Sequence, residues 1–372
     1  MGADGRIPML DLGRLHAPLA EDLRRAFDEA LETSRFIGGP EVERFEGELA
    51  ALVGTRFAIG TSSGTDALIA ALTALGAGPE DEVVTSAYSF FASAGAIARV
   101  GARPVFADID PGSFCVDPAA VEAALTGRTV GIVAVHLFGQ CADMDPILEA
   151  AGRRGLWVIE DAAQAIGARY RDRRAGSMGR AGALSFFPAK NLGALGDAGA
   201  VATDDLELAA QVRSLRVHGA AEKHLHEKLG WNFRLDAVQA RFLSVKIGWL
   251  DRWEEGRRRA AARYRELLAD IDGIAAPPEL PGRRHVYNQY VIRVAGGRRD
   301  RMRAALDSAG VASAIHYPRP LHMQPCLDKL GGREGDFPEA ERAARESLAI
   351  PMDPNLSPAD QERVAAALRS AP

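Results

Sequence analysis

Between residues 57 and 203 the sequence alternates short apolar runs with helical patterns, and this alternation constrains the fold more than any other feature. The apolar runs have the length of strands, and they cover residues 57–59, 82–85, 104–107, 130–138, 156–159, 183–187 and 200–202. Apolar strands separated by amphipathic helices are typical of a sheet that is covered on both faces. The pattern therefore predicts an α/β fold with a mostly parallel mixed sheet between helices.

A second unit is expected after this alternation. A long helical pattern runs from Leu235 to about Ala269, and a proline-rich loop follows it. The later patterns are strand 287–294, helix 300–309, strand 311–316 and helices 339–348 and 358–368. We therefore expect a large domain over residues 1–250 and a small α+β domain over residues 251–372.

Composition and charge exclude several classes of protein. The 372 residues are 47% hydrophobic and 26% charged, as in soluble globular proteins. The net charge is -5 and arginines alternate with acids, so no sustained basic face predicts nucleic-acid binding. The sequence has neither a signal-peptide pattern nor an apolar run of the ~18 residues that span a bilayer. Three scattered cysteines form no disulfide or metal pattern, so we expect a cytoplasmic protein.

One lysine follows the strand predicted at residues 183–187. Lys190 lies between that run and a glycine-rich loop at residues 191–199. Burial against apolar walls disfavours the charged ammonium and lowers its pKa, which suits the amine to nucleophilic attack and a Schiff base. The alternative is a lysine whose ammonium extends to water at the sheet edge, and these residues alone leave both interpretations open.

The turn at residues 60–66, GTSSGTD, predicts an anion site at the start of a helix. Gly64 lets backbone N–H groups approach an anion, and the hydroxyls of Ser63 and Thr65 add donors. The helix dipole adds partial positive charge. The alternative is a Ser/Thr N-cap without a ligand. The P-loop and dinucleotide-binding motifs are absent from the sequence, so no motif supports a nucleoside triphosphate or NAD site.

Asp161 ends the apolar run that begins at Leu156, so its carboxylate is expected at the ligand-binding edge of the sheet. Capping the next helix is its alternative role. Adjacent Glu160 points to the opposite face and is expected to be structural. An anion site, a carboxylate and a lysine together match pyridoxal 5'-phosphate (PLP), which needs phosphate donors, an acid at its pyridine nitrogen and an amine for its aldehyde.

The sequence also resembles the DegT/DnrJ/EryC1/StrS family of PLP-dependent nucleotide-sugar aminotransferases. The motifs that carry the resemblance are SSGTDAL (62–68), EDAAQAIGA (160–168), SFFPAKNLGALGDAGA (185–200), LRVHG (215–219) and GWNFRLDAVQA (230–240). The segments IPMLDL (7–12) and IHYPRPLHMQP (315–325) extend it over nearly the whole chain. The resemblance implies an aspartate-aminotransferase-like fold, fold type I, and enzymatic transfer of an amino group.

The resemblance implies a role for each matching residue. Lys190 would form the Schiff base and carry protons, and Asp161 would bind the pyridine nitrogen. Gln164 would contact the ring hydroxyl and Phe90 would stack on the ring. The phosphate would be held by Gly64, Thr65 and Ser185. Family members are dimers in which an asparagine matching Asn232 reaches the neighbouring phosphate, so the resemblance implies a homodimer with shared active sites.

The resemblance places substrate contacts in the second domain, at His316, Tyr317, His322 and Gln324. A pair of histidines, His224 and His226, lacks a third ligand, so we expect no metal site. The implied amino donor is L-glutamate, and the implied acceptor is a nucleotide-linked keto sugar in amino-sugar and polysaccharide biosynthesis.

The loop at residues 223–236 is most similar to the subgroup that acts on 3-keto hexoses, although Trp231 and Phe233 depart from its pattern. A 4-keto sugar is the alternative acceptor. A sugar dehydratase of the same family is a rival function, but such dehydratases carry histidine at the position of Lys190. A non-catalytic PLP-binding protein is another rival, and it would normally need an appended output domain.

Overall fold

The computed structural model describes residues 5–222 and 224–371, and a seven-stranded sheet forms its centre. The strands are β1 (Phe57–Thr61), β2 (Glu82–Ser86), β3 (Arg103–Ala107), β4 (Thr129–Val135), β5 (Trp157–Asp161), β6 (Ala181–Ser185) and β7 (Gly199–Thr203). Their order is β1-β7-β6-β5-β4-β2-β3. Strand β7 is antiparallel to both its neighbours, and the other adjacent pairs are parallel. The predicted α/β fold with a mostly parallel sheet is confirmed.

Helices cover both faces of this sheet. The α-helices are Leu12–His16, Ala20–Thr33, Pro40–Val53, Gly64–Ala74, Ala92–Arg99, Pro118–Ala124, Met144–Arg153, Leu206–Leu215, Ala237–Ile247, Leu250–Leu268, Arg299–Ser308, Pro338–Glu346 and Pro358–Arg369. On one face, Leu68 and Leu72 pack with Val83 and Val133 of the sheet. Burial of such side chains contributes roughly 1.5–3 kcal/mol each. Within the described ranges, no helix is both long enough and apolar enough to cross a membrane.

A smaller unit contains a second sheet of three antiparallel strands. They are β8 (Ile274–Ala275), β9 (Tyr290–Val294) and β10 (Ser347–Ile350), in the order β8-β9-β10. Ile7 packs in the apolar core of this unit and forms a β-bridge with Val311. The N-terminal segment therefore contacts the small unit, and the domain boundary at residue 250 stays a prediction.

The helix predicted over residues 235–269 is wrong in one respect, because the chain forms two helices, Ala237–Ile247 and Leu250–Leu268. Gly248 is a poor helix former, and the N–H of Trp249 donates to the carbonyl of Lys246 only three residues back.

The strand predicted over residues 311–316 is also wrong, since this segment makes only isolated bridges. The third strand of the small sheet is β10, whose first residues fall inside the helix predicted over 339–348. Leu348 and Ile350 pair with β9 and are fully buried, so tertiary packing overrides the local helical pattern.

The direction of the strands determines where the site lies. Strands β1 and β6 are both antiparallel to β7, so they run in the same direction as β2, β4 and β5. The carboxyl ends of these strands therefore meet at one edge of the sheet, where open α/β sheets bind ligands. Asp161 ends β5 at that edge, and Gly64, Phe90, His136 and Lys190 follow other strands and reach it.

Candidate active site

A cavity of about 670 Å³ lies at this edge of the sheet. The predicted residues of the large unit that line it are Gly64, Thr65, Phe90, Asp161, Gln164, Ser185 and Lys190. The wall from the small unit and the N-terminal segment includes Met9, Leu10, Asn288, Gln289, Ala314, His316, Tyr317, Ile350 and Met352. The fold therefore brings most of the predicted site residues into one concave surface.

Lys190 is held at the end of a tight turn after β6. Its N–H donates to the carbonyl of Phe187 at 2.8 Å, and the preceding Phe186 is buried edge-to-face against Phe45. Burial lowers the pKa of the Lys190 amine to about 8, and the negative charge of Asp161 opposes part of this shift. The amine lines the cavity, and near pH 8 a large fraction of it is therefore neutral.

Asp161 and Glu160 at the end of β5 face opposite sides of the sheet. Asp161 is buried, and its Oδ2 accepts a hydrogen bond from Oγ of Ser93 at 2.7 Å. Glu160 is fully buried away from the cavity and accepts from the backbone N–H groups of Gly176 and Gly179 at 2.8 and 2.7 Å. The alternation of a strand thus separates a carboxylate that faces the ligand site from one that holds a loop.

The start of helix Gly64–Ala74 forms one end of the cavity. Ser63 is its N-cap and accepts from the N–H of Asp66 at 3.1 Å, while the Ser63 hydroxyl donates to Oδ2 of Asp66 at 2.9 Å. The expectation that the Ser63 hydroxyl adds a donor for an anion is therefore not met. A Cβ on Gly64 would lie 2.6 Å from Cβ of Ser185, so only glycine allows this close contact between the helix and β6.

Gln164 and Phe90 lie on the walls next to Asp161 and Lys190. Oε1 of Gln164 accepts from the N–H of Phe138 at 2.7 Å, and Nε2 donates to Oη of Tyr317 at 3.0 Å. Phe90 is 56% exposed, and its ring lies 6.1 Å from the ring of Tyr317. An exposed aromatic face beside the cavity is a suitable surface for stacking on a planar ligand.

Three predicted residues lie outside the lining. His322 is only 1% exposed, with its Nε2 3.3 Å from Oε1 of Glu341. Gln324 donates from Nε2 to the carbonyl of Arg319 at 3.3 Å. Asn232 is exposed on the polar loop before helix Ala237–Ile247. The substrate contacts expected at His322 and Gln324 are therefore not part of the cavity in this chain.

Polar residues of the lining that the sequence prediction missed include His136, Asn288 and Gln289. His136 directly follows β4, so the rule of strand ends that located Asp161 could have found it. Asn288 donates from Nδ2 to Oδ1 of Asn191 at 3.1 Å, beside Lys190. This contact joins residues 97 apart in the sequence, and no local pattern predicts it.

The DegT/DnrJ/EryC1/StrS aminotransferase family matches residues 18–369. The chain belongs to this family. The predicted family resemblance and the prediction of an enzyme are confirmed, because relatives and structural neighbours are aminotransferases.

Relatives match over almost the full length of the chain. A "Pleiotropic regulatory protein" of Geobacillus stearothermophilus is 50% identical and covers 96% of each chain. The dTDP-3-amino-3,4,6-trideoxy-alpha-D-glucose transaminase of Streptomyces venezuelae is 42% identical over 98% of this chain and 96% of its own. Three further relatives, at 37–42% identity, are likewise named as aminotransferases or transaminases of nucleotide-linked sugars.

Two solved structures share the fold. DesV of S. venezuelae in complex with a ketimine intermediate has 42% identity and a TM-score of 0.95, covering 98% of both chains. NtdA of Bacillus subtilis with bound PMP has 35% identity and a TM-score of 0.90, covering 98% of this chain and 84% of that one. The predicted fold type is confirmed, and the family and these neighbours indicate a cofactor of the PLP/PMP type.

Proposed function

We propose that this family member is a PLP-dependent aminotransferase that moves an amino group from L-glutamate to a keto group at C3 of a nucleotide-linked hexose. The observation that carries this proposal is that Lys190, Asp161 and the Gly64–Ser185 contact line one cavity. The residues fit PLP, since an amine, a buried carboxylate and a helix N-terminus supply the partners of its aldehyde, pyridine nitrogen and phosphate.

Lys190 would carry the reacting proton on its Nζ. An acid–base group works best when its pKa lies near the working pH, and burial brings the pKa of this amine to about 8. The same neutral amine would hold the cofactor by its aldehyde. Bound PLP supplies an electron sink for the carbon that loses a proton.

Asp161 would keep a proton on the pyridine nitrogen. Its carboxylate is buried and oriented by the 2.7 Å bond from Ser93, so its negative charge acts in a medium of low dielectric. Backbone N–H groups at Gly64 and Thr65, with the hydroxyl of Ser185, would hold the phosphate at the helix N-terminus. Phe90 would cover one face of the ring.

Two observations support the finer parts of the proposal. The relative of S. venezuelae is named for a 3-amino sugar, which favours C3 over the alternative C4 as the carbon that receives the amine. Apolar side chains are exposed at Ile37, Phe187 and Leu195, and Phe187 also lines the cavity, which suits burial against a second copy of the chain. Asn232 would then reach the neighbouring site in a homodimer.

A panel assay tests the function directly. The PLP-loaded enzyme is incubated with L-glutamate and nucleotide-linked 3-keto and 4-keto sugars, with 2-oxoglutarate measured and the aminated carbon located by NMR. The proposal predicts stoichiometric 2-oxoglutarate and an amine at C3. An amine at C4 would support the alternative acceptor. Loss of a sugar hydroxyl without amine transfer would support the dehydratase, and an absence of turnover with every sugar and donor would contradict the proposal.

A further inference from the structure

Tyr317 faces the cavity from the small unit, and its hydroxyl is oriented by a chain of hydrogen bonds that begins in the large unit. The first donor is the backbone N–H of Phe138, which lies 2.7 Å from Oε1 of Gln164. A backbone N–H can only donate, so the side-chain atom that receives this bond must be the amide oxygen. The other end of the amide, Nε2, is therefore a donor, and it contacts Oη of Tyr317 at 3.0 Å.

This direction leaves the phenolic proton of Tyr317 for another partner. A tyrosine oxygen that accepts a bond keeps its own O–H to donate. Among residues 5–222 and 224–371, the hydroxyl of Tyr317 has no protein acceptor for that proton. Tyr317 lines the cavity, so this proton is available to an acceptor on a molecule bound there. Burial also raises the pKa of Tyr317, which keeps the phenol protonated at neutral pH.

Both ends of this chain are firmly held. Phe138 has the left-handed φ of 59°, and its ring packs edge-to-face on Phe114 at 5.3 Å. The carbonyl of Phe138 also accepts from the N–H of Gln289 at 3.3 Å. At the other end, the backbone N–H of Tyr317 donates to Oη of Tyr88 at 2.7 Å. Neither end can rotate to reverse the direction of the bonds without losing these contacts.

We propose that Tyr317 donates its phenolic hydrogen to an oxygen of the bound ligand, and that Gln164 is a positioning residue that sets the direction of this bond. The proposal rests on the proposed function and assigns Tyr317 a specific role in it. An oxygen acceptor of this kind is present in two sources, the ring hydroxyl of the cofactor and the keto group of the sugar. The experiment below distinguishes them.

The test compares the Tyr317→Phe variant with wild type, using PLP and 3-deoxypyridoxal phosphate, which lacks the ring hydroxyl, as probes. If the acceptor is the ring oxygen, wild type binds PLP about 10- to 100-fold more tightly than the deoxy analogue, and the variant loses this preference. If the acceptor is the keto oxygen, the preference is unchanged, and kcat/KM falls about 10- to 100-fold only in the half-reaction with the keto sugar.

A matched control and a second substitution make the test specific. Tyr264→Phe removes a buried hydroxyl that has no hydrogen-bond partner in the described part of the chain, and it is expected to change neither readout. In Gln164→Glu, a carboxylate can accept from both Phe138 and Tyr317, so it draws the phenolic proton away from the ligand. This variant should lose as much as Tyr317→Phe, and the double variant should lose less than about 2-fold more.

Two results would overturn the proposal. The first is a Tyr317→Phe enzyme that matches wild type within about 2-fold in both the cofactor preference and the sugar half-reaction. The second is a double variant whose losses multiply, because Gln164 then does not act through Tyr317. The cofactor preference is measured without any sugar, so a failure of the proposed acceptor sugar is distinguishable from a failure of the role of Tyr317.

Discussion

Two lysines of this protein, Lys190 and Lys246, have the same lowered pKa and different surroundings. Burial lowers the pKa of both Lys190 and Lys246 to about 8. Lys190 lines the cavity with Asp161, whereas Lys246 is 1% exposed and its ammonium contacts the carbonyl of Gly193 in the loop after Lys190. The comparison teaches that desolvation alone does not identify a reactive amine. Access to a ligand and a nearby carboxylate distinguish the two.

The largest expected effect is on amino transfer, and it comes from making the same substitution at each of these two lysines. Lys190→Met should lower amino transfer at least about 1,000-fold, because the group that holds the cofactor and carries the proton is lost. Lys246→Met keeps the volume of the side chain and should lower activity less than about 5-fold. Release of 2-oxoglutarate and the absorption spectrum of the loaded enzymes give the measurement. Equal losses in the two variants would contradict the distinction drawn between them.

The two carboxylates at the end of β5, Asp161 and Glu160, form a second pair for comparison, and the expected effect on activity is smaller. Asp161→Asn should lower kcat/KM roughly 100- to 1,000-fold, because it removes the negative charge proposed to face the pyridine nitrogen of the cofactor. Its melting temperature should stay close to that of the wild type. Glu160→Gln should instead lower the free energy of unfolding by about 3 kcal/mol, because a buried acceptor of several N–H groups is weakened. Kinetics and thermal unfolding are measured for both variants. The prediction is contradicted if Asp161→Asn mainly lowers stability and Glu160→Gln mainly lowers kcat/KM.

The smallest expected effect is a pH dependence of stability. In the folded state the pKa of each lysine is about 8, below the ordinary value of about 10.4 that applies in the unfolded chain. Between these values the unfolded chain binds more protons, so both lysines destabilise the folded apoenzyme below pH 8 and this cost decreases as pH rises toward 10.4.

Urea unfolding of the apoenzyme at pH 7.5 and 9.5 measures this dependence. The double variant Lys190→Met and Lys246→Met should lose part of the rise in stability that wild type shows between the two pH values. An identical rise in both proteins would show that the amines already have their ordinary pKa in the folded state.

Much of the fold could be predicted because its signals are local and repeated. The apolar runs predicted the sheet, and the positions of Asp161 and Lys190 after two of those runs predicted that both reach the same edge. Local pattern failed where distant contacts decide the structure. Strand β10 forms because Leu348 and Ile350 are buried on β9, although the preceding residues have a helical pattern.

The site shows the same limit. Motif resemblance named His316, Tyr317 and His322 together, but the short 3-10 helix Leu321–Met323 turns His322 into the interior. The Ser63 hydroxyl was expected to donate a hydrogen bond to a ligand, but it donates to the carboxylate of Asp66 instead. Asn288 reaches the cavity through a contact with Asn191 that only the folded chain creates.

The anchoring of the N-terminal segment has a practical consequence for work with this enzyme. Ile7 is fixed in the core of the small unit, and Met9 and Leu10 form part of the cavity wall only a few residues later. A deletion that removes residues up to 10 would therefore take away part of the cavity wall together with an anchor of the small unit.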